Sequence, residues 1–460
     1  MITPSPFKDQ KIFVLGLGRS GRSVSQSLLK AGAHVLAWDD QDEARKVATE
    51  QGISLANLNV LEWKDIDHLV LSPGIPHRYP APHPLVTEAL RVGLQPISDL
   101  EILYHTQPLA RYIGITGSNG KSTTTAIIGH ILKNSGKRVE VGGNIGIPAM
   151  DLNPLGKDDT YVLELSSYQL EISPTLHCNI NILLNITPDH LDRHGGMDGY
   201  IEAKKLIYKN ATSHDILVIN VDDEHCLKIY EALRASDKTR LLPISVNTIL
   251  SEGIYVNDGI LYENASPVLD LKQFERLKGE HNWQNIAASY GALRSMGLES
   301  GAISEGISSF PGLAHRQQVV AHHKNVLFVN DSKATNAEAV AKVLATYQGV
   351  PLYWLLGGRP KEGGISALMP YFSSIKHAFL FGEATPMFAS TLDGEVSYTL
   401  CNTVKEAVKK ASSLAFNDQA ERVIVLLAPA CASFDQFTDF EARGEAFCEA
   451  VREVIGEKGD

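Results

Sequence analysis

The sequence predicts an α/β protein of three consecutive domains, each a doubly wound, largely parallel sheet, and two observations carry that expectation. Short apolar, β-rich runs alternate with helix-length stretches along the whole chain, the pattern of strands joined by helical crossovers. Glycine-rich or polar turns follow many of these runs, at the carboxyl ends of strands where open parallel sheets place their ligands. At 460 residues the chain is too long for one core.

The first series opens with Lys11 to Leu15, followed by the turn Gly16-Leu17-Gly18-Arg19-Ser20-Gly21 and a helical stretch that ends near Gly32. A second run, His34 to Trp38, ends at Asp39-Asp40, and a third, His68 to Leu71, ends at Ser72-Pro73-Gly74. The next series begins with Arg111 to Ile115 and continues through Tyr161 to Leu165, Ile180 to Asn185 and Ile216 to Asn220. After Phe310-Pro311-Gly312-Leu313 come Asn325 to Asp331, Leu352 to Gly358, His377 to Gly382 and Val423 to Ala428. The expected domains are therefore 1–108, 109–312 and 313–460. No short-period repeat or low-complexity tract interrupts them.

Composition narrows the function classes. Hydrophobic residues make up 44% and charged residues 21%, and no uncharged apolar run approaches the roughly 18 residues of a membrane span. The start, Met1-Ile2-Thr3-Pro4-Ser5-Pro6-Phe7-Lys8, lacks the pattern of a secretory signal, so the expectation is a cytoplasmic protein with no membrane partner. A net charge of -11 without a Lys/Arg-rich block argues against a nucleic-acid partner. The five cysteines are scattered and contain no Cys-x-x-Cys, against both a disulfide framework and a zinc site.

The most specific chemistry lies in Gly114-Ile115-Thr116-Gly117-Ser118-Asn119-Gly120-Lys121-Ser122-Thr123-Thr124-Thr125. Backbone N–H groups of such a loop converge on phosphate oxygens, the following helix N-terminus adds positive potential, the lysine neutralises charge and a hydroxyl reaches Mg²⁺. The general P-loop pattern wants glycine six places before the lysine, where this chain has Ile115. The strand-like run before the loop and the helix-like run after it are nevertheless the context a triphosphate site needs.

Gly16, Gly18 and Gly21 also satisfy the dinucleotide fingerprint, with the acidic pair Asp39-Asp40 about 20 residues on. Alone, that reads as an NAD-dependent dehydrogenase. Its physics asks only for a diphosphate at a helix N-terminus and a ribose hydroxyl near a carboxylate, which a UDP-sugar supplies equally well.

Across the whole chain the order of motifs resembles the Mur ligases of peptidoglycan synthesis. The resemblance rests on the loop Thr116 to Thr123, on Val141 to Gly146, Leu163 to Leu170, Asn185 to Arg193, Gly279 to Asn282, Gly312 to Arg316, Asn330 to Asn336 and Pro429 to Phe437. The Ala-Cys-Ala-Ser-Phe-Asp-Gln-Phe stretch ending at Phe437 resembles the branch that adds D-glutamate. The resemblance implies a Rossmann-like UDP-binding domain, a P-loop-like ATPase domain and a C-terminal Rossmann-like domain. It implies a monomer that joins D-glutamate to UDP-N-acetylmuramoyl-L-alanine with ATP, through an acyl phosphate. A sister ligase with another amino acid, or a folylpolyglutamate synthase-like ligase, shares the central machinery and is the alternative.

Residue by residue, the resemblance assigns Ser118, Asn119, Gly120, Lys121, Ser122, Thr123, Thr124, Asn285, Arg316 and Asp331 to ATP, with Arg316 a charge clamp brought in by domain closure. Ser122, Glu164, His190 and Lys204 would hold Mg²⁺, two ions being implied, and Lys121, His190 and Lys204 would be catalytic. Lys204 stands where the family carries a lysine carbamylated by CO₂, with Lys205 the neighbouring alternative. Ser20, Asp39, Ser72, Pro73, Gly74 and Asn144 would bind the UDP-sugar. Thr335, Lys361, Ser433 and Phe440 would bind D-glutamate, although the flank Arg359 to Ile365 departs from the commoner family pattern.

Overall fold

The computed structural model describes residues 1–456 apart from Ile145, Asp237, Glu275, Arg276, Lys278, Lys361 and Glu362. The described residues form three sheets, of four, nine and six strands. They divide into two compact units, Met1–Pro311 and Gly312–Asp460. None of their helices is long and apolar enough to cross a membrane.

The first unit holds two of the sheets. One is all parallel, in the order His34–Trp38, Lys11–Leu15, His68–Leu71, Pro96–Ile97. The other runs from Ser266–Asp270 at one edge through Ile260–Glu263, Ile254–Asn257, Arg240–Ser245, Ile216–Asn220, Ile180–Leu183, Arg111–Thr116 and Thr160–Glu164 to Val139–Gly143. Its first two pairings are antiparallel and the rest parallel. In register, Ile115 pairs with Glu164 and Thr116 with Leu183, so three adjacent strands deliver their carboxyl ends side by side.

The two sheets share one apolar cluster, in which Ile2, Leu17 and Leu28 pack with Tyr112, Met150 and Tyr161. A buried carboxylate reinforces the junction: Glu101 accepts the backbone N–H groups of Thr175 at 2.9 Å and Leu176 at 3.1 Å. Behind the phosphate loop the helix Lys121–Asn134 buries Ile127, Ile128 and Ile131 with Ile286, Ala287 and Tyr290 of Glu280–Ser295. The helix Lys121–Asn134 begins well before its apolar periodicity, its first turn carrying Lys, Ser and Thr.

The second unit is a six-stranded sheet in the order Gln318–His323, Val326–Asn330, Val423–Leu427, Leu352–Gly357, Ile375–Phe381, Tyr398–Leu400, parallel except at the first pair. Each face has its own cluster, Trp354 and Phe388 on one side and Phe328, Phe379 and Phe447 on the other. Loops after Val326–Asn330, Leu352–Gly357 and Val423–Leu427 leave the same edge of adjacent strands.

Candidate active site

Between the strand Arg111–Thr116 and the helix Lys121–Asn134 the phosphate loop is stitched to the neighbouring strand end. Asn119 donates its backbone N–H to Asn185 Oδ1 at 2.8 Å, and Ser118 donates its own to the Asn185 carbonyl at 3.0 Å. The Ser118 hydroxyl reaches the Thr187 carbonyl at 2.8 Å and lies 3.0 Å from the Tyr200 hydroxyl. Gly120 has φ 86°, and a Cβ there would stand 2.3 Å from Asn285 Oδ1, so only glycine fits. Asn285 also accepts a hydrogen bond from Thr124 Oγ1 at 3.3 Å. Lys121 donates from Nζ to the carbonyls of Gly117 at 2.8 Å and Ser118 at 3.0 Å. Ser122 is buried and Thr123 half-buried in the first helical turn.

Glu164 ends its strand 3% exposed. Asn144 Nδ2 donates to its Oε1 at 2.9 Å, whereas Oε2 is buried with no hydrogen-bond partner among the described residues. His190 is an exposed left-handed residue, φ 52°, at the start of the short helix Leu191–His194. Its ring meets that of Tyr168 at 5.3 Å.

Lys204 lies in the helix Met197–Lys205 and is 1% exposed. Burial, and then the charge of Lys121, lower its pKa to about 7 from 10.5. Its Nζ sits 4.6 Å over the ring of Tyr200, the residue whose hydroxyl touches Ser118. Lys205 is half-exposed and paired with Glu202 at 2.7 Å. Tyr200 thus links the phosphate loop to Lys204, and Lys121 acts on Lys204 through its charge. Glu164 ends the strand Thr160–Glu164 and His190 caps the helix Leu191–His194, and among the described residues no group of three or more His, Cys, Asp or Glu could hold a metal.

At the first sheet the fingerprint glycines have steric reasons. Gly16 has φ 92°, and a Cβ on Gly21 would lie 1.8 Å from the Gly16 carbonyl oxygen. Ser72 donates to that same oxygen at 2.8 Å, and Asp39 Oδ2 accepts the Leu17 N–H at 2.7 Å. Asp39 and Ser72 therefore frame the turn itself, while Ser20 is half-buried at the start of the helix Arg19–Ala31. Pro73 and Gly74 continue the Ser72 loop, and the Gly74 carbonyl accepts from Arg193 at 3.0 Å.

In the second unit Asp331 follows the strand Val326–Asn330, buried, and burial raises its carboxyl to about 6 against the opposing backbone N–H of Gln317 and charge of Arg316. Arg316 is exposed. Thr335 is half-buried beyond Asp331, Ser433 is buried after the strand Val423–Leu427, and Phe440 starts the helix Phe440–Ile455 with Lys333 Nζ 4.2 Å over its ring. Lys361 lies outside the described residues.

Sequence reasoning missed Arg443, which is fully buried and, among the described residues, makes no salt bridge within 4 Å, its hydrogen bonds going to a hydroxyl and to carbonyls. Its guanidinium donates to Ser332 Oγ at 3.0 Å, the Ser332 carbonyl at 2.9 Å and the Cys431 carbonyl at 3.1 Å, with Gly357 at 3.4 Å. One fork therefore ties together the loops that bear Thr335 and Ser433 and the one that leads to Lys361. The available signal was an arginine beside Gly444, the glycine whose missing Cβ admits His315.

Comparison with known proteins agrees with this geometry. Residues 115–293 match the Mur ligase middle domain and residues 315–431 the Mur ligase, glutamate ligase domain. In fold the chain is similar to UDP-N-acetylmuramate-alanine ligase MurC from Thermotoga maritima, with TM-score 0.60 and 17% identity over 97% of this chain and 99% of that one. It is also similar to MurF from Acinetobacter baumannii, with TM-score 0.57 and 20% identity over 76% and 79%. The chain belongs to the Mur ligase family, and it is an ATP-dependent, amide-bond-forming ligase of peptidoglycan precursor synthesis. Its full-length relatives include the UDP-N-acetylmuramoylalanine--D-glutamate ligases of Paramagnetospirillum magneticum, 48% identical over 98% of both chains, and Rhodospirillum rubrum, 44% identical over 97% of this chain and 95% of that one. The enzyme of the same name from Phenylobacterium zucineum is 43% identical over 100% of both.

Proposed function

We infer that the chain joins the amine of D-glutamate to the lactyl-L-alanine carboxylate of UDP-N-acetylmuramoyl-L-alanine, as a cytoplasmic monomer. The observation that carries this reading is 48% identity over 98% of both chains to a ligase of that name. In the reaction a carboxylate oxygen attacks the γ-phosphorus of ATP and ADP leaves. The amine of D-glutamate then attacks the acyl phosphate, inorganic phosphate leaves and the amine loses a proton.

Two anions must meet, so the site's work is neutralisation and alignment. Ser118 to Thr124 with Asn285 are proposed to hold the triphosphate, Lys121 to transfer from its own loop carbonyls to the phosphates, and Arg316 and Asp331 to make further nucleotide contacts. Residues 1–108 would serve the UDP-sugar through Ser20, Asp39, Ser72, Pro73, Gly74 and Asn144. Residues 109–312 would serve ATP and 313–460 the incoming amino acid, through Thr335, Lys361, Ser433 and Phe440.

The residues fit Mg²⁺. A buried Glu164 oxygen without a donor among the described residues asks for a cation, and Ser122 offers a hydroxyl in the first turn of the loop helix. His190 is the third proposed ligand and Lys204 the fourth. A free ammonium cannot bind a cation, but a buried lysine neutral near pH 7 is a nucleophile for CO₂, and its carbamate carries carboxylate-like oxygens. We propose that carbamate and two ions. When bound, Mg²⁺ would neutralise charge between the attacking carboxylate and the triphosphate.

The test is phosphate release from ATP with UDP-N-acetylmuramoyl-L-alanine and, in turn, D-Glu, L-Glu, L-Lys and meso-diaminopimelate. D-Glu should exceed the rest by at least about 10⁴-fold, the discrimination available to a site built around its polar groups. Equal rates would overturn the assignment.

A further inference from the structure

Two residues of the motifs above have no part in the reaction, Tyr168 in the stretch Leu163 to Leu170 and Arg193 in Asn185 to Arg193, and the fold brings them together. Tyr168 lies in the first turn of the helix Ser167–Glu171, and Arg193 lies in Leu191–His194, three residues after His190. The guanidinium carbon of Arg193 stands 4.7 Å over the centre of the Tyr168 ring, and that ring meets the His190 imidazole at 5.3 Å. Arg193 Nη1 donates at 3.0 Å to the carbonyl of Gly74, in the loop after the strand His68–Leu71.

The loop from Ser72 to Tyr79 rests on the same segments at two further places. A Cβ on Gly195 would stand 2.7 Å from Tyr79 Cζ, and Glu171 Oε2 lies 3.3 Å from His194 Nδ1 and 3.8 Å from His77 Nε2. The first of these contacts is steric, and the three atoms of the second make no hydrogen bond among the described residues. Both press the loop against its support without fixing its position along it. The bond from Arg193 to the Gly74 carbonyl is directional, so it does fix the Ser72-Pro73-Gly74 backbone.

A guanidinium suits this place because it is planar: its face lies on an aromatic ring while its edge donates in the plane. One side chain therefore relates the loop proposed for the UDP-sugar to the ring that lies against His190. We propose that Arg193 is a positioning residue, anchored on Tyr168, that sets the sugar-binding loop relative to His190. This role rests on the assignment of Ser72 to Gly74 to the UDP-sugar and of His190 to Mg²⁺ under the proposed function. Its purpose is alignment: a loop that drifts carries the reacting carboxylate with it, and a misplacement of about 1 Å costs about 10²-fold in rate.

Titration calorimetry of UDP-N-acetylmuramoyl-L-alanine on the full chain, without ATP or Mg²⁺, reads the loop end directly. Arg193→Met should weaken binding about tenfold, the worth of a hydrogen bond from a charged group. Tyr168 is assigned no contact with the sugar, yet Tyr168→Leu should weaken binding as well, and Tyr168→Phe, which restores the ring, should recover it. Because the two side chains act as one support, the double variant Arg193→Met/Tyr168→Leu should bind within about twofold of the weaker single variant. In phosphate release, Arg193→Met should raise the Mg²⁺ concentration for half-maximal rate at least about threefold, with KM for ATP at saturating Mg²⁺ within about twofold of the parent's. Arg193→Lys should stay nearer to Arg193→Met than to the parent in sugar binding, since an ammonium lacks the planar fork, and it replaces the methionine variant if that one folds poorly. Parent-like sugar binding by both Arg193 variants, additive losses in the double variant, or an unchanged Mg²⁺ requirement would each overturn the proposal. Ser72→Ala separates this role from the reading beneath it. If Ser72→Ala binds the UDP-sugar as the parent does, the loop's assignment fails and the role of Arg193 with it; weak binding by Ser72→Ala beside parent-like Arg193→Met removes the role of Arg193 alone.

Discussion

Asn144 holds one oxygen of Glu164, at 2.9 Å, and the other is buried without a hydrogen-bond partner among the described residues. The amide fixes the carboxylate plane, and the second oxygen is oriented by default. Asn144→Ala should raise the Mg²⁺ concentration for half-maximal phosphate release about tenfold, the usual cost of losing a partner that orients a ligand. The variant's melting temperature should stay near that of the parent, and a Mg²⁺ titration of initial rates checks both halves of the expectation.

Lys204 links pH to CO₂ uptake. With its pKa near 7, the neutral amine prevails above that pH and disappears below it, so a carbamate signal in ¹³C NMR with labelled bicarbonate should fade on acidification. Lys204→Met should abolish it and Lys205→Ala should not. Linkage has a definite sign here: between about 7 and 10.5 the unfolded chain binds a proton that the folded chain lacks, so this group makes stability rise with pH over that window. Denaturant midpoints should show a shallower rise in Lys204→Met.

Asp99 produces the opposite slope. Burial raises its carboxyl to about 6 from 3.8, so the folded chain binds the extra proton and stability falls as pH climbs through that interval. Asp99→Asn should therefore stabilise the first unit by about 2 kcal/mol at about pH 8 and by little at about pH 4. Urea unfolding at the two pH values separates the outcomes.

Arg443 should not tolerate replacement. Arg443→Met leaves the Ser332 and Cys431 carbonyls without their donor, at a cost of about 3 kcal/mol in the second unit. Arg443→Lys should recover little, because an ammonium cannot span three loops as a planar fork does. In the lysine variant, KM for D-glutamate should rise more than kcat falls, measured by phosphate release at varied D-glutamate.

What was legible in the sequence is what is local. Gly16, Gly21 and Gly120 could be read because a positive φ or a close approach leaves only glycine, and the loop from Gly117 to Lys121 could be read as a turn between strand and helix because its glycines lie directly between the two. Strand ends carrying Glu164 and Asp331 were visible as polar punctuation after apolar runs. Hidden were the properties that arise only when distant segments meet. Nothing in Ile201-Glu202-Ala203-Lys204-Lys205 distinguishes a buried lysine from its surface neighbour until Tyr200 and Lys121 are placed beside it. Arg443 is not singled out by its local sequence, since the carbonyls that hold it come from three other segments. Glu171, His194 and His77 come from three separate segments, and their juxtaposition has no linear signature.

Lys121 points its ammonium at the carbonyls of Gly117 and Ser118. The loop is thus an internal competitor for its own cation. The triphosphate proposed to bind here must displace those peptide oxygens among the lysine's partners, which its charge allows and a nucleoside's does not. Under the proposed nucleotide role, entry is graded by the ligand's charge before its base is read, and the lysine exchanges one set of oxygens for another.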